Sequence, residues 1–73
     1  MSKDVTTKRV LAFIQDFIRE HLYSPSIREI VEGCHLSSTS VAYHHVVKLN
    51  CAGCIKSRLN KARTIVLTGK LYE

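Results

Sequence analysis

Cysteine and histidine residues cluster at three places in the chain, and they have the clearest capacity for chemistry. Cys51 and Cys54 form a C-x-x-C pair, and Cys34-His35 and His44-His45 lie upstream. Thiolate and imidazole groups are good zinc ligands, but a structural zinc site needs four of them to converge. Small apolar thiols are also ordinary core residues. We predict packed, metal-free thiols, with a zinc-stabilised binding domain as the alternative. A disulfide redox function is disfavoured because no βαβ pattern accompanies the pair.

The remaining polar residues do not form a catalytic pattern. The chain has neither a glycine-rich phosphate loop nor a G-x-S-x-G nucleophile motif. Its six acidic residues are scattered, and 73 residues leave little room for a catalytic pocket. We therefore predict that the chain is not an enzyme and needs no cofactor.

Charge is divided unevenly along the sequence. Residues 1–32 contain five basic and five acidic side chains, whereas residues 33–72 contain six basic side chains and no acid. Such a stretch produces an unopposed positive field, for which a polyanion is the natural partner. The second half of the chain is therefore the candidate nucleic-acid-binding half.

Length and composition indicate one small folded domain spanning residues 1–73, with a core at about 6–67 and a frayed tail at 68–73. The hydrophobic content of 45% is well above the disordered range. The sequence lacks an apolar segment long enough to span a membrane, and its polar N-terminus does not resemble a signal peptide. We expect a cytoplasmic protein with reduced cysteines.

Two helices are predicted in the first half. Apolar residues recur at helical spacing from Val10 to Leu22, and Thr6 or Thr7 is the expected N-cap of this first helix. Ser24 and Pro25 then interrupt the pattern. The segment Ser26-Ile27-Arg28-Glu29 is a capping box that starts a short helix over 27–32, and Gly33 is the expected left-handed stop.

A third helix and a hairpin are predicted in the second half. Ser37 or Ser38 caps a helix over 39–50, whose apolar positions are Ala42, His45 or Val46, and Leu49. Strands are expected at 54–59 and 63–67, around an Asn60-Lys61 turn. The predicted fold class is α+β and mostly helical: a three-helix winged helix-turn-helix with a two-stranded C-terminal β-hairpin wing.

The stretch from Ser24 to Leu67 resembles the winged helix-turn-helix DNA-binding domain of LexA-type repressors. Pro25-Ser26 with Glu29-Ile30 matches the start of helix two in that family. His45-Val46, Leu49, Gly53 and Ile55 match the recognition helix and its exit, and 62–65 matches the wing. The spacing holds without a gap, and the resemblance covers about sixty of the 73 residues.

The resemblance implies a bacterial or phage transcriptional regulator, and specifically a repressor, that binds double-stranded operator DNA. The positions implied to read bases are Ser38, Ser40, Val41, Tyr43 and His44. Hydroxyl, imidazole and methyl groups suit base edges and thymine methyls. The residues expected to contact the DNA backbone are Ser37, Thr39, Lys48, Lys56, Arg58, Lys61 and Arg63. Arg63 also matches the wing arginine of the family.

Several positions depart from the family pattern. Ser40 stands where the family usually has Asn, and Tyr43 and His44 stand where it has acids, so we expect a different operator. His35 replaces the turn glycine, and Leu59-Asn60 replaces the Ser-Gly pair of the wing.

We expect a monomer or weak dimer, paired on a two-fold operator, and no self-cleavage because the chain shows no Ser-Lys protease segment. The alternative is a winged-helix module that docks on the transcription machinery. Salt dependence separates the two, because DNA binding weakens steeply with salt.

Overall fold

Three helices and a two-stranded antiparallel sheet make up the fold. The elements are α1 (Val5–His21), α2 (Ile27–Cys34), α3 (Thr39–Cys51), β1 (Ile55–Lys56) and β2 (Val66–Leu67). The computed structural model describes residues 5–58 and 63–72. The predicted three-helix unit with a C-terminal hairpin is confirmed. Within the described residues, no helix has the length and apolar character needed to cross a membrane.

One apolar core joins the three helices to the wing. On α1, Val10, Leu11 and Ile14 form the buried stripe that the helical spacing predicts. α2 contributes Ile30, and both ends of the hairpin add to the same cluster. The further buried members are Cys34, Ala42, Val46, Leu49, Cys54, Ile55 and Ile65. The wing is therefore packed onto the helices at its base, where Ile55 and Ile65 are inserted.

The predicted caps of α1 are wrong, because Thr6 and Thr7 lie inside the helix. Thr7 is fully buried, and its hydroxyl lies 2.8 Å from Nδ1 of His45 on α3. The threonine therefore joins two helices instead of starting one. Leu22, the last residue of the predicted apolar stripe, follows the helix in a left-handed conformation (φ 65°) and is 86% exposed.

The start of α2 is confirmed and its predicted end is wrong. Ser26 Oγ accepts from the Glu29 N–H at 3.2 Å, and the Glu29 carboxylate accepts from the Ser26 N–H at 2.8 Å. The helix continues through Gly33, and His35 adopts the left-handed C-cap (φ 57°). A Cβ at Gly33 would overlap the ring of Phe13 on α1. The glycine is therefore needed for close packing of two helices, not for chain reversal.

α3 and the wing follow the predicted order with shorter strands. Ser38 is the N-cap of α3, and its Oγ accepts from the Val41 N–H at 3.4 Å. The helix ends at Cys51, and Gly53 follows in a left-handed conformation (φ 81°). The strands pair with Ile55 opposite Leu67 and Lys56 opposite Val66, two residues each. The predicted Asn60-Lys61 turn lies outside the described residues.

Residues 68–72 are attached to the core, in contrast to the frayed tail expected from the sequence. The Thr68 N–H donates to the Cys54 carbonyl at 3.2 Å, and the Thr68 hydroxyl donates to the Gly53 carbonyl at 2.6 Å. Tyr72 packs against the apolar core. The folded unit therefore extends five residues beyond β2.

Candidate nucleic-acid interface

The outward face of α3 carries polar side chains that have no acid among them. Ser40 and His44 are one turn apart, Tyr43 lies beside them, and all three are exposed. Ala42, Val46 and Leu49 are buried on the opposite side and fix the rotation of the helix. The face therefore offers a hydroxyl, an imidazole and a phenol to a groove, which are groups able to donate and accept hydrogen bonds at base edges.

The first turn of α3 is a second polar cluster, formed by three hydroxyl residues. Ser37, Ser38 and Thr39 are all exposed. Ser38 uses its oxygen to cap the helix, while its hydroxyl proton remains able to donate. The partial positive charge of a helix N-terminus favours an approaching anion. These three residues are placed where a phosphate could be bound.

Val41 is less exposed than the other predicted base-reading residues of α3. It is half-buried and precedes His45 by one turn, and His45 is bonded to Thr7 of α1. Only part of the Val41 side chain is therefore open to a thymine methyl. Its role in base reading stays a prediction.

Three of the predicted phosphate-binding side chains lie in the last turn of α3 and in or just after β1. Lys56 on β1 and Arg58 just after it are exposed, and Lys48 is half-buried in the last turn of α3. The Thr64 hydroxyl donates to the Arg58 carbonyl and accepts from the Arg58 N–H, both at 3.0 Å, which holds the base of the wing together. Lys61 lies outside the described residues.

Arg63 has partners within the protein that the sequence did not reveal. Its guanidinium donates to the Ser24 carbonyl at 3.0 Å and pairs with Glu29 at 2.9 Å. The guanidinium carbon also lies 4.9 Å from the centre of the Tyr23 ring. Sequence reasoning identified Glu29 only as a helix cap, because its partner lies 34 residues further along the chain.

The pKa values of Glu29 and Cys34 are shifted from their ordinary values. The backbone N–H of Ser26 is the main cause that lowers the pKa of Glu29 below its ordinary 4.5, and Arg63 adds to the effect. The carboxylate is thus ionised across the physiological range. Burial raises the pKa of the Cys34 thiol above its ordinary 9.0.

The acids of the described residues belong to α1 and α2, and none of them belongs to α3 or to the strands. Asp16 and Glu20 belong to α1, and Glu29 and Glu32 belong to α2. Asp16 pairs with Arg19 at 3.1 Å, and Glu20 lies 3.2 Å from His21, so both have local partners. The charge division predicted from the sequence is therefore also a division between elements of the fold.

The thiols are separated and differ in exposure. Cys34 and Cys54 are buried, as expected of core thiols, but Cys51 is exposed. Within residues 5–58 and 63–72, no three His, Cys, Asp or Glu side chains come close enough to hold a metal ion. The C-x-x-C spacing places one thiol inside the core and the other on the surface.

Comparison with known proteins identifies the family. A family model described as the LexA DNA-binding domain matches residues 3–64. The chain belongs to this family. The resemblance predicted from the sequence and the winged helix-turn-helix fold class are thereby confirmed.

Individual LexA repressors are similar to the chain over most of its length. That of Carboxydothermus hydrogenoformans is 35% identical over 63 residues, which are 86% of this chain and 31% of the relative. That of Lactiplantibacillus plantarum is 39% identical over 75 residues, 100% of this chain and 36% of the relative. A third, from Roseiflexus sp., is 48% identical over 46 residues, 63% of this chain and 21% of the relative. The chain thus spans about a third of the length of the first two relatives.

In this LexA-type domain, α2 and α3 are the two helices of the helix-turn-helix, and the β1–β2 hairpin is the wing. His35 forms the turn with a left-handed backbone where a glycine was expected from the family pattern. The Leu36 N–H then donates to the Val31 carbonyl at 3.0 Å and closes the turn. His35 therefore supplies the left-handed conformation of this turn without a glycine.

Proposed function

We propose that the chain is the DNA-binding part of a transcriptional repressor and binds duplex operator DNA through α3. The observation that supports this proposal best is the outward face of α3, where Ser40, Tyr43 and His44 are exposed together. An α-helix with such a face fits the major groove, where each base pair presents a distinct pattern of donors and acceptors. Membership of the LexA DNA-binding domain family supports the same conclusion.

In the proposed complex, base reading and backbone binding are divided between elements. The outward face of α3, with Ser38 and part of Val41, selects the sequence. The backbone contacts come from Ser37, Thr39, Lys48, Lys56, Arg58 and Lys61. Four cations bound to phosphates would make log affinity fall with log salt at a slope of about −3.6 for each bound chain. Arg63 is not counted among these cations, because its guanidinium is engaged within the protein.

We further propose that the domain is a monomer or weak dimer when free and that two copies occupy a two-fold operator. The half-sites of such an operator are separated by about one helical turn of DNA, or roughly 34 Å. We propose that the chain acts in the bacterial cytoplasm, where the chromosome lies, and its similarity to bacterial LexA repressors supports this. Binding, and not catalysis, is the whole of the proposed activity.

Selection from a pool of random duplexes tests this function. We expect an enriched motif, followed by binding that weakens as salt is raised from about 0.05 to 0.2 M. The matched control is the variant with Ser40→Ala and His44→Ala, which keeps every lysine and arginine and should enrich the motif more weakly. Recovery of no motif with the native chain, together with salt-insensitive capture of a protein of the transcription machinery, would favour a docking module instead.

A further inference from the structure

A group of connected polar side chains lies where the wing meets the start of α2. Arg63 Nη1 lies 2.9 Å from Glu29 Oε1, and Nη2 donates to Glu29 Oε2 at 3.2 Å. Two guanidinium nitrogens therefore lie against both carboxylate oxygens, an arrangement that lysine, with its single ammonium nitrogen, cannot form. They are 34 residues apart in the sequence and join two different elements.

Glu29 is itself fixed in position by the helix that it caps. Its Oε1 accepts from the Ser26 N–H at 2.8 Å, while the Glu29 N–H donates to Ser26 Oγ at 3.2 Å. A carboxylate that is part of a capping box cannot follow a moving partner without opening the first turn of the helix. The position of the Arg63 guanidinium is therefore set relative to α2.

Ser24 bonds to the same segment of the wing at two points. Its carbonyl accepts from Arg63 Nη1 at 3.0 Å, and its Oγ accepts from the Ile65 N–H at 3.2 Å. The serine is 7% exposed, so the second bond is shielded from water. Arg63 also has a left-handed backbone (φ 58°), a conformation that costs free energy for a non-glycine residue unless other contacts hold it. These contacts determine the direction in which the chain enters β2.

We propose that Glu29, Arg63 and Ser24 form a clamp that positions the wing relative to the helix-turn-helix, so that Arg63 supports DNA binding through wing placement and not through a phosphate contact. This proposal rests on the proposed function. It makes Glu29 and Arg63 positioning residues of the interface, although the sequence favoured Arg63 as a phosphate ligand. The Arg63 side chain is 44% exposed, so a phosphate contact is the competing explanation that an experiment must separate.

The clamp and the phosphate contact predict different results for Arg63→Ala, Arg63→Lys and Glu29→Gln. A lysine at position 63 would still bind a phosphate as a point charge, but it would not form the forked pair. Removal of the Glu29 charge should strengthen DNA binding if only the electrostatic field matters. The same change should weaken binding if the carboxylate holds the wing. Loss of a phosphate contact lowers the salt slope by about 1, whereas loss of positioning leaves the slope unchanged.

The test measures binding of the selected duplex at four salt concentrations for Arg63→Ala, Arg63→Lys and Glu29→Gln. Lys56→Ala serves as the matched control for a lost phosphate contact, and circular dichroism confirms that each variant is folded. We expect all three clamp variants to bind about tenfold more weakly at every salt concentration with the native slope. Lys56→Ala should reduce the slope.

Hydrogen exchange of the Ile65 amide supplies a readout that does not involve DNA. We expect slow exchange in the native chain and faster exchange in Arg63→Ala and Glu29→Gln. A reduced slope in Arg63→Ala, native affinity in Arg63→Lys, tighter binding by Glu29→Gln or unchanged Ile65 exchange would each overturn the clamp. Absence of salt-dependent DNA binding by the native chain itself would instead overturn the proposed function, and this role of the clamp with it.

Discussion

Some side chains of this domain are presented to solvent by α3, whereas others hold its elements together. Ser40 and His44 are placed on the outward face by helical spacing alone, and the structure agrees. The sequence pattern makes Thr7 a helix cap, but its hydroxyl bonds to His45, 38 residues away. Local sequence patterns report the spacing along one helix but contain no information about a partner on another element.

Thiol reactivity should differ among the three cysteines. Cys51 is exposed, whereas Cys34 and Cys54 are buried and burial raises the pKa of Cys34. The thiolate is the reactive form of cysteine. A thiol reagent should therefore modify Cys51 rapidly in the native domain, and Cys34 and Cys54 only after unfolding. Mass spectrometry of the labelled peptides checks this. Rapid labelling of Cys34 or Cys54 under native conditions would show that the core is more open than the structure indicates.

Glu29 should make stability depend on pH. Its pKa is lowered in the folded state from 4.5, so its contribution is fully present above the unfolded value and is lost as pH falls through the folded one. Glu29→Gln retains a side chain able to cap the helix but loses the ion pair with Arg63. We expect it to unfold with about 0.5–1 kcal/mol less free energy near neutral pH. Chemical denaturation should show this gap closing as the pH falls below 4.5 and through the lowered pKa of folded Glu29; a constant gap would mean that the charge of Glu29 contributes nothing.

At the scale of elements, α2 and α3 are predicted well because their start signals are local. The capping box of α2 and the Ser38 cap of α3 both lie within four residues of the backbone groups that they satisfy. The predicted end of α2 is wrong because Gly33 has a packing role, which its own neighbours in the sequence do not reveal. The strands are shorter than predicted because alternation of residue types shows where a strand is possible but not how far pairing extends.

The contact between α1 and α2 can be tested at Gly33. Alanine would favour the helix by about 1 kcal/mol, but its Cβ would overlap the Phe13 ring. Overpacking of this kind costs about 1–3 kcal/mol, so we expect Gly33→Ala to lower the free energy of unfolding. Phe13→Leu should provide space, and the double variant should lose less stability than the sum of the single variants. Strict additivity in denaturant unfolding would show that the two helices are not in close contact.

At the scale of the whole molecule, the domain separates its charges between elements. The acids of the described residues lie on α1 and α2, while the described lysines and arginines from residue 48 onward belong to the end of α3, the hairpin and the residues after it. Composition predicts this division because it is already present along the sequence. The connection of residues 68–72 to the core could not be predicted, since it depends on a threonine hydroxyl that reaches a backbone carbonyl in a distant turn.

Folding of the whole domain should be independent of metal. The described thiols and imidazoles do not converge in groups of three, and the apolar core connects all three helices and the wing. Addition of a strong chelator should therefore leave the thermal unfolding midpoint unchanged. A large fall in that midpoint would indicate that a metal ion contributes to folding, as it does in zinc-dependent domains.

The central claim is that the outward face of α3 selects a DNA sequence while the surrounding cations supply affinity without selectivity. Fluorescence anisotropy with the selected duplex and a shuffled duplex, at two salt concentrations, tests it most directly. For the native chain, we expect both affinities to fall with similar slopes and the selected duplex to stay favoured. In the variant with Ser40→Ala and His44→Ala, the preference should shrink by about 1–3 kcal/mol for each lost base contact, while binding to the shuffled duplex stays close to native. A preference that survives both substitutions unchanged would contradict the assignment of α3 as the reading element.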